Sequence, residues 1–352
     1  MPALPLAPLR IIQPKSALLP ILATVPRSGT WFIRYSISFY CHLKRGGRIT
    51  DRVTGQSYGS PTGPPFDFEH FRGGPLFGMP SAFPAEHLFV GHTVCPGFSR
   101  LSDGTPWWSD TRFHAMGYDY LNEGMDYAFT PVEFGRGEYA PIVPSALEEA
   151  AWTEPRQRMV LVYREPVAQA ESYLQFGRNH VDPERRQFEG RGLEEIGFAE
   201  YLFEAALPSY AKLFVTYQEM AERLPDRVRL VPYEHLLDKP GKTLAEMLGF
   251  LAGDRDLDCI ELRLAVHLAR QEHLQAIERE IKRSLDGTRR DFGSHIQRPI
   301  GKAGARRTAD IALYAKTAQW LSARGIAPEC FVWPPSVRPS VVAPPALDRR
   351  VS

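Results

Sequence analysis

Short runs of consecutive apolar residues separate longer amphipathic segments along this chain, and the alternation predicts its secondary structure. Apolar runs at residues 17–25 (ALLPILATV), 159–163 (MVLVY) and 228–232 (VRLVP), with a shorter run at 87–90 (HLFV), have the length and composition of buried strands. The predicted helices cover 30–43, 166 to about 176, most of 193–223, two or three segments within 240–285, and 309–323.

Strands that alternate with helices are typical of a parallel sheet with helices on both faces. We therefore expect an α/β protein with a three-layer α/β/α fold and a central parallel sheet. No repeat or linker divides the sequence, so we expect one domain over residues 15–333, with flexible tails at 1–14 and 334–352. Two stretches rich in Gly, Pro and aromatic residues, at about 46–86 and 95–150, predict long loops on the substrate side.

The composition excludes several classes of protein. With 352 residues, 43% of them hydrophobic and 24% charged, the chain can bury a large core and is not intrinsically disordered. The 42 basic residues nearly balance the 41 acidic ones, which excludes a protein that coats nucleic acid through bulk charge. The four cysteines lack Cys-x-x-Cys spacing, and we see no signal peptide or transmembrane segment, so we expect a cytoplasmic protein without a metal site.

The sequence VPRSGT at residues 25–30 connects the first predicted strand of the sheet to the first helix. Such a connection presents main-chain N–H groups and the positive end of the helix dipole, and both favour phosphate. Gly29 permits close approach of the backbone, Arg27 supplies charge, and Ser28 and Thr30 supply hydroxyl donors. The Walker A pattern G-x-x-x-x-G-K-[ST] is absent. An ordinary strand–turn–helix connection explains the motif alone equally well.

A second candidate anion site lies where the strand at 159–163 ends. Arg164 follows that strand directly, at the carboxyl end where α/β proteins place their ligands. Ser172 comes eight positions later, two turns along the next helix, where it could share one anion with Arg164. The alternative is a surface arginine paired with Glu165 or Glu171.

Residues 279–307 form a basic segment, with nine Lys or Arg residues against three acidic ones. In a chain with a net charge of +1, this concentration indicates an anion site. The sequence GKAG at 301–304 makes part of it a flexible loop with available N–H groups. A solvated helix end and a weak RNA-binding patch are the alternatives.

In their order and context these motifs resemble those of the sulfotransferases that use 3′-phosphoadenosine 5′-phosphosulfate (PAPS). PRSGT resembles the family's 5′-phosphosulfate loop, and YREPVAQAESYLQF resembles its 3′-phosphate motif. VPYEHLLDKPGKTLAEMLGFLAG is similar to the Tyr-Glu-Asp-Leu stretch and the helix after it, and RPIGKAGARR at 298–307 resembles the loop that closes over the nucleotide. The resemblance extends over about residues 18–307 and implies a P-loop-like phosphosulfate-binding loop.

The resemblance implies transfer of a sulfuryl group from PAPS to a hydroxyl or amine of a small-molecule, lipid or glycan acceptor. The product nucleotide is 3′-phosphoadenosine 5′-phosphate (PAP), and neither a metal nor a nucleic-acid partner is implied. Arg27 would also stabilise the leaving phosphate, and Trp31 stands where the family commonly has a second Thr. The implied nucleotide-binding residues are Arg27, Ser28, Gly29 and Thr30 for the phosphosulfate, Arg164, Ser172, Arg298, Gly301 and Lys302 for the 3′-phosphate, and Trp31 or Phe32 with Tyr233 for the adenine.

Sulfuryl transfer to an alcohol needs a proton acceptor, and histidine is the usual one near neutral pH. His92 follows the strand at 87–90 and resembles the family's Lys-Thr-His segment, with Val90 and Gly91 in place of Lys and Thr. The aromatic residues in the two long loops are suited to the walls of a pocket for a hydrophobic acceptor. The reserve candidates for the base are His87, His114, Asp67 and Glu69.

Three other functions remain open at this point. An ATP-dependent small-molecule kinase on a related P-loop fold would need the missing Walker lysine and would not need the second anion site. A non-catalytic nucleotide-binding protein would bind PAP but would not depend on His92. An RNA-binding module would use the basic segment and would bind RNA in a salt-sensitive way.

Overall fold

The computed structural model describes residues 11–14, 20–25, 27–69, 76–81, 83, 87–92, 139–142, 158–180, 187–188, 191–207, 210–211, 214, 217–218, 221–222, 224–285 and 310–337. The strands are β1 (Ile11–Pro14), β2 (Ile21–Thr24), β3 (Arg48–Thr50), β4 (Ser57–Gly59), β5 (Leu76–Gly78), β6 (His87–His92), β7 (Tyr139–Ile142), β8 (Met159–Tyr163), β9 (Gln187–Phe188), β10 (Arg191–Gly192) and β11 (Val228–Pro232). The helices are α1 (Thr30–Lys44), α2 (Pro166–His180), α3 (Phe198–Tyr201), α4 (Tyr233–Asp238), α5 (Pro240–Leu251), α6 (Ile260–Leu268), α7 (Gln271–Ile281) and α8 (Ile311–Ser322).

The main sheet has five strands in the order β11-β8-β2-β6-β5. Strands β11, β8, β2 and β6 are mutually parallel, whereas β5 pairs antiparallel with β6 at one edge. The predicted parallel sheet is therefore present, with an antiparallel edge strand that the sequence pattern did not predict. Parallel neighbours require crossover connections, and here helices follow the strand ends.

Helices cover both faces of this sheet, and the strand side chains show it. On β2, Ile21 and Ala23 pack in one core while Leu22 packs in the other; on β8, Leu161 and Val162 divide in the same way. Successive side chains of a strand point to opposite faces, so two cores mean two layers of covering elements. Helices α2 and α8 supply one core and α1, α5, α6 and α7 supply the other. The fold is three-layer α/β/α, as predicted.

The predicted elements and the observed ones agree best at β8, at β11 and at the start of α1. The strands at 159–163 and 228–232 have the predicted limits, and α1 begins at the predicted Thr30. The strand predicted at 17–25 is shorter, since β2 covers only Ile21–Thr24. The prediction of a long loop over 46–86 is wrong in part, because a β3–β4 hairpin and strand β5 lie within it.

Structured residues extend beyond the expected domain limits of 15 and 333. Strand β1 pairs antiparallel with β7. At the other end Val337 is fully buried in the core that contains α8. In the part of the chain that is described, no helix is both long and apolar enough to cross a membrane.

Candidate functional site

The carboxyl ends of four parallel strands meet at one edge of the sheet, which is where ligands bind in α/β folds. Thr24 at the end of β2 lies beside Val162 of β8 on one side and beside the main chain of His92 on the other. Pro232 at the end of β11 lies beside Tyr163. This edge, called the carboxyl edge below, therefore brings together the candidate residues that follow each of these strands.

The connection from β2 to α1, residues 25–30, has two residues with left-handed backbone conformation. Arg27 has a φ of 72° and Gly29 a φ of 85°, and the N–H of Ser28 donates to the carbonyl of Val25 at 3.0 Å. A non-glycine residue rarely adopts positive φ, and such strain concentrates at functional sites. A Cβ at Gly29 would lie 2.5 Å from Cε2 of Tyr233, so the close approach of this ring requires glycine.

The amino end of α1 has the properties of an anion site. Its cap residue, Gly29, offers no side-chain hydrogen bond, and no acidic residue lies in the first turn. The positive end of the helix dipole is thus balanced by neither a capping side chain nor a carboxylate within that turn. The hydroxyl of Ser28 is fully buried and has no hydrogen-bond partner among the described residues, whereas the Thr30 hydroxyl lies 2.5 Å from that of Thr24.

The two predicted phosphate motifs are in direct contact. Arg27 Nε lies 3.2 Å from the hydroxyl oxygen of Ser172, and Arg164 Nη1 lies 3.4 Å from the carbonyl oxygen of Arg27. The Arg164 guanidinium also lies over the Tyr233 ring, 5.4 Å from its centroid. We expected Ser172 to pair with Arg164, but its contact here is with Arg27. The arrangement gathers two arginines and a serine hydroxyl at the carboxyl edge.

The main chain at Arg164 is tightly held. Its carbonyl accepts a hydrogen bond from the Tyr210 hydroxyl at 2.5 Å, and the next N–H, of Glu165, donates to Glu234 Oε1 at 3.0 Å. The Glu165 carboxylate caps α2 by accepting from the N–H groups of Val167 and Ala168 at 2.6 and 2.8 Å. The role of the Glu165 carboxylate is therefore to cap α2, and not to form a surface ion pair with Arg164.

Burial alters the acidity of the groups around Arg164. Burial raises the pKa of Glu165 to about 8, although the hydrogen bonds from the N–H groups of Val167 and Ala168 act to lower it. Burial raises the pKa of Glu234 as well. Burial also raises the pKa of Tyr233, although the cations of Arg164 and Arg27 act in the opposite direction. The Arg164 guanidinium thus lies against the Tyr233 ring, and the neighbouring carboxyl groups are shifted towards their neutral forms.

Two aromatic candidates have defined surroundings. The half-buried Trp31 stacks on Tyr35 with 5.9 Å between ring centroids, and the Arg34 guanidinium lies 5.1 Å from the Trp31 ring. Tyr233 packs against Gly29 at the loop between β2 and α1. Contacts of Trp31, Phe32 or Tyr233 with an adenine remain predictions.

Arg34, a residue that the sequence did not single out, connects the site to β6. It is 1% exposed, and its Nε and Nη2 donate to the carbonyl of Val90 at 3.2 and 2.9 Å. This fixes the strand two residues before His92. The sequence feature that could have indicated Arg34 is its position as a lone arginine in a helical segment of otherwise apolar and small polar residues (FIRYSISF).

The remaining candidates are spread more widely. His87 begins β6, roughly 16 Å along the strand from the carboxyl edge. Asp67 and Glu69 lie in a segment whose main chain accepts hydrogen bonds from Arg283, at 2.6 Å for the Glu69 carbonyl. Among the residues whose placement is described, no cluster of His, Cys, Asp and Glu could hold a metal ion. Arg298, Gly301, Lys302 and His114 lie outside the described residues.

Comparison with known proteins gave structural matches only. No protein-family model matches the chain, and no curated protein does. Retinol dehydratase solved with androsterone and the inactive cofactor PAP is 14% identical, covers 87% of this chain and 80% of its own, and has a TM-score of 0.41. Mouse sulfotransferase SULT7A1 complexed with PAP is 11% identical, with 87% and 86% coverage and a TM-score of 0.39.

A second structure of retinol dehydratase, with retinol and PAP, is 15% identical, covers 91% of this chain and 82% of its own, and has a TM-score of 0.40.

Proposed function

We propose that this protein is a PAPS-dependent sulfotransferase. The observation that carries the proposal is the contact of Arg27, Ser172 and Arg164 beside an uncapped helix terminus at the carboxyl edge. PAPS has two separate anionic groups, the 5′-phosphosulfate and the 3′-phosphate. A glycine-containing loop with a second arginine beside it offers complementary charge for both.

The residues at the loop fit a phosphate group. The buried Ser28 hydroxyl has no partner in the described part of the chain, and a buried hydroxyl without one is costly unless a ligand atom satisfies it. Gly29 leaves the loop without a side chain at its closest approach to Tyr233. In this proposal Ser28, Gly29 and Thr30 bind the phosphosulfate, while Arg164 binds the 3′-phosphate with Ser172 nearby.

In the proposed reaction, Arg27 stabilises the negative charge that develops on the leaving group. The acceptor oxygen or nitrogen forms a new bond to sulfur while the bond from sulfur to the 5′-phosphate oxygen breaks, and PAP leaves with the bonding electrons. Negative charge therefore grows on the 5′-phosphate, next to Arg27. An arginine does not give up its proton, so it acts through charge and hydrogen bonds alone.

His92 is the proposed base that accepts the proton of the acceptor. Its main chain ends β6 beside Thr24, the strand residue that precedes the phosphate-binding connection. The acceptor itself is proposed to be a small molecule with a hydrophobic or ring-containing body, because the stretches at about 46–86 and 95–150 are rich in aromatic residues. Lipids and glycans are the other classes of acceptor that the sequence resemblance allows.

Titration calorimetry with PAP, and with ATP and Mg²⁺ as the comparison, tests the nucleotide assignment. We expect micromolar PAP affinity, weak ATP binding, and loss of PAP binding in Arg164→Ala. Arg263→Ala is the matched control, because that arginine lies on α6 with 62% of its side chain exposed. Folded protein that binds ATP with Mg²⁺ and not PAP would instead favour a kinase.

Turnover requires its own test. Incubation with labelled PAPS and a panel of phenols, alcohols and amines should transfer label to at least one acceptor. His92→Ala should abolish transfer while PAP affinity stays within about threefold of wild type, since a base contributes to the chemical step and not to nucleotide binding. Tight PAP binding with no transfer to any acceptor would indicate a nucleotide-binding protein without catalysis.

A further inference from the structure

The peptide unit between Arg164 and Glu165 is fixed on both sides by side chains from other elements. Its carbonyl accepts from the Tyr210 hydroxyl at 2.5 Å, and its N–H donates to Glu234 Oε1 at 3.0 Å. Tyr210 is almost fully buried and comes from the helical region after α3, whereas Glu234 lies in the first turn of α4. Two hydrogen bonds on opposite sides determine how the plane of this peptide is oriented.

That orientation decides where the Arg164 side chain can point. The turn from β8 into α2 has few other degrees of freedom, since Pro166 fixes its own φ and the Glu165 carboxylate caps the N–H groups of Val167 and Ala168. The Cα of Arg164 is one end of the fixed peptide. A rotation of that peptide would redirect the Cα–Cβ bond and move the guanidinium away from Arg27 and Tyr233.

The residue before Glu234 takes part in the same arrangement. The Tyr233 ring lies under the Arg164 guanidinium and against Gly29, so consecutive residues of α4 contact the side chain and the main chain at Arg164. Through them the end of β11 is joined to the turn after β8 and to the connection after β2. Three of the four loops at the carboxyl edge are thereby held in one relative position.

We propose that Glu234 and Tyr210 are positioning residues that fix the Arg164–Glu165 peptide and so hold the Arg164 guanidinium ready for an anion. The inference rests on the proposed function in one respect, that the anion is the 3′-phosphate of PAP or PAPS. Because the guanidinium is held in place before binding, less conformational entropy is lost when the anion binds. Neither residue touches the nucleotide in this proposal, and each acts through the main chain.

The charge of the site is consistent with this role. Two ionised carboxylates beside a phosphate would repel it, but burial shifts both Glu165 and Glu234 towards the neutral acid. Glu234 Oε2 is also buried, with no hydrogen-bond partner in the part of the chain that is described, and the contact of Glu234 with the turn is made through Oε1. A neutral carboxyl group can accept the Glu165 N–H through its carbonyl oxygen just as well.

Glu234→Gln and Glu234→Ala separate hydrogen bonding from charge, because Gln keeps an acceptor oxygen and Ala does not. By titration calorimetry we expect PAP affinity to fall by about tenfold or more in Glu234→Ala, and to stay within about threefold of wild type in Glu234→Gln. Tyr210→Phe, which removes only the hydroxyl, should weaken PAP binding by a few-fold. Asp238→Ala is the control, since it removes a carboxylate from the same helix at a side chain that is 74% exposed.

Hydrogen exchange in the protein without nucleotide tests the positioning role independently of PAP. In Glu234→Ala the amides of Glu165, Val167 and Ala168 should exchange at least about tenfold faster than in wild type, and in Glu234→Gln and Asp238→Ala they should not. Equal exchange and equal affinity in all the variants would overturn the proposal. So would a Glu234→Gln variant as weak as Glu234→Ala, which would assign the effect to charge.

The two measurements also distinguish this proposal from the proposed function. If wild type binds no PAP but Glu234→Ala still accelerates exchange at these amides, the sulfotransferase assignment fails and the positioning of Arg164 stands. If wild type binds PAP and exchange at these amides is unchanged in Glu234→Ala and Tyr210→Phe, the positioning role fails and the sulfotransferase assignment stands.

Discussion

Arg27 combines an unfavourable backbone conformation with two contacts. Its φ of 72° costs a non-glycine residue about 1–2 kcal/mol. Its Nε lies 3.2 Å from the Ser172 hydroxyl oxygen, and its carbonyl oxygen lies 3.4 Å from Arg164 Nη1. Glycine would adopt this backbone conformation without that strain. The presence of arginine instead is what a role in binding predicts, since strained residues concentrate at functional sites.

Arg27→Gly should therefore change stability and binding differently. We expect the free energy of unfolding to stay within about 1 kcal/mol of wild type, because relief of backbone strain offsets the lost contact with Ser172 and the extra freedom of the unfolded chain. PAP affinity should fall by about tenfold or more, since a charged donor is lost. Urea unfolding and calorimetry on the same preparation measure both. Arg27→Lys, which keeps the charge, should bind PAP better than Arg27→Gly, and the reverse order would contradict the assignment.

Gly29→Ala tests the contact between Tyr233 and the connection from β2 to α1, the proposed phosphate-binding loop. The substitution adds a Cβ at a φ of 85° and 2.5 Å from the Tyr233 ring, so we expect lower stability and lost PAP binding. Gly253→Ala is a close control because Gly253 has a φ of 84° with nothing within 4 Å of its Cβ position. In the control, backbone strain alone should lower the free energy of unfolding by about 1 kcal/mol. Equal losses in the two variants, by urea unfolding, would show that the Tyr233 contact has no effect.

At the scale of elements, Asp51 joins the β3–β4 hairpin to the helices behind it. Its buried carboxylate accepts from the N–H of Val53 at 2.8 Å and pairs with the Arg270 guanidinium at the start of α7. The fully buried His273 adds a contact with the carbonyl of Thr50 at 3.3 Å. Burial alone would raise the pKa of Asp51, but the bonds from Val53 and Arg270 lower it to about 2.

Stability should consequently fall in acid through Asp51. A folded-state pKa below the ordinary value near 4 means that the contribution of Asp51 is complete above about pH 4 and is lost as the pH falls towards 2. Asp51→Asn should cost about 3 kcal/mol at pH 7, since Arg270 loses its partner, and much less at about pH 2. Urea unfolding across this pH range measures the difference. Asp258→Asn, which alters an exposed pair with Arg263 that solvent screens, should change the pH profile much less.

The elements that the sequence predicted are those whose pattern is local. A continuous apolar run marks β8, a mostly apolar stretch marks β11, and helical spacing after a serine–glycine turn marks α1. Strands β3, β4 and β5 have three residues each, which is too short for alternation to be recognised in a Gly-rich stretch. The contacts of Tyr210 and Glu234 join residues 46 and 69 positions apart, and no local pattern predicts such pairs.

The residues of the candidate site also divide into those that a local motif indicated and those that it did not. Arg27, Ser172 and Arg164 were found because each lies in a motif next to a predicted strand or helix. That Ser172 contacts Arg27, 145 positions away, depends on the sheet order that places β8 next to β2. Arg34 was missed because its buried partner is a main-chain carbonyl of β6, which has no signature in the sequence.

For the whole molecule, the architecture separates folding stability from ligand binding. The two cores lie on the faces of the sheet, whereas the candidate site lies at its carboxyl edge. The net charge of +1 means that attraction of a nucleotide depends on where the arginines are placed and not on overall charge. Variants in a core and variants at the edge should therefore have independent effects.

Thermal unfolding with and without PAP tests this independence. A ligand that binds only the folded state adds about 2.7 kcal/mol at a concentration 100 times its Kd, which should raise the Tm by several degrees. Leu248→Ala, at a fully buried position on α5, should lower the Tm through a loss of about 2–5 kcal/mol but keep the same PAP-dependent increment. Arg164→Ala should keep nearly the wild-type Tm without PAP and lose the increment. A Leu248→Ala protein that loses the increment while remaining folded would show that the α5 core and the carboxyl edge are coupled.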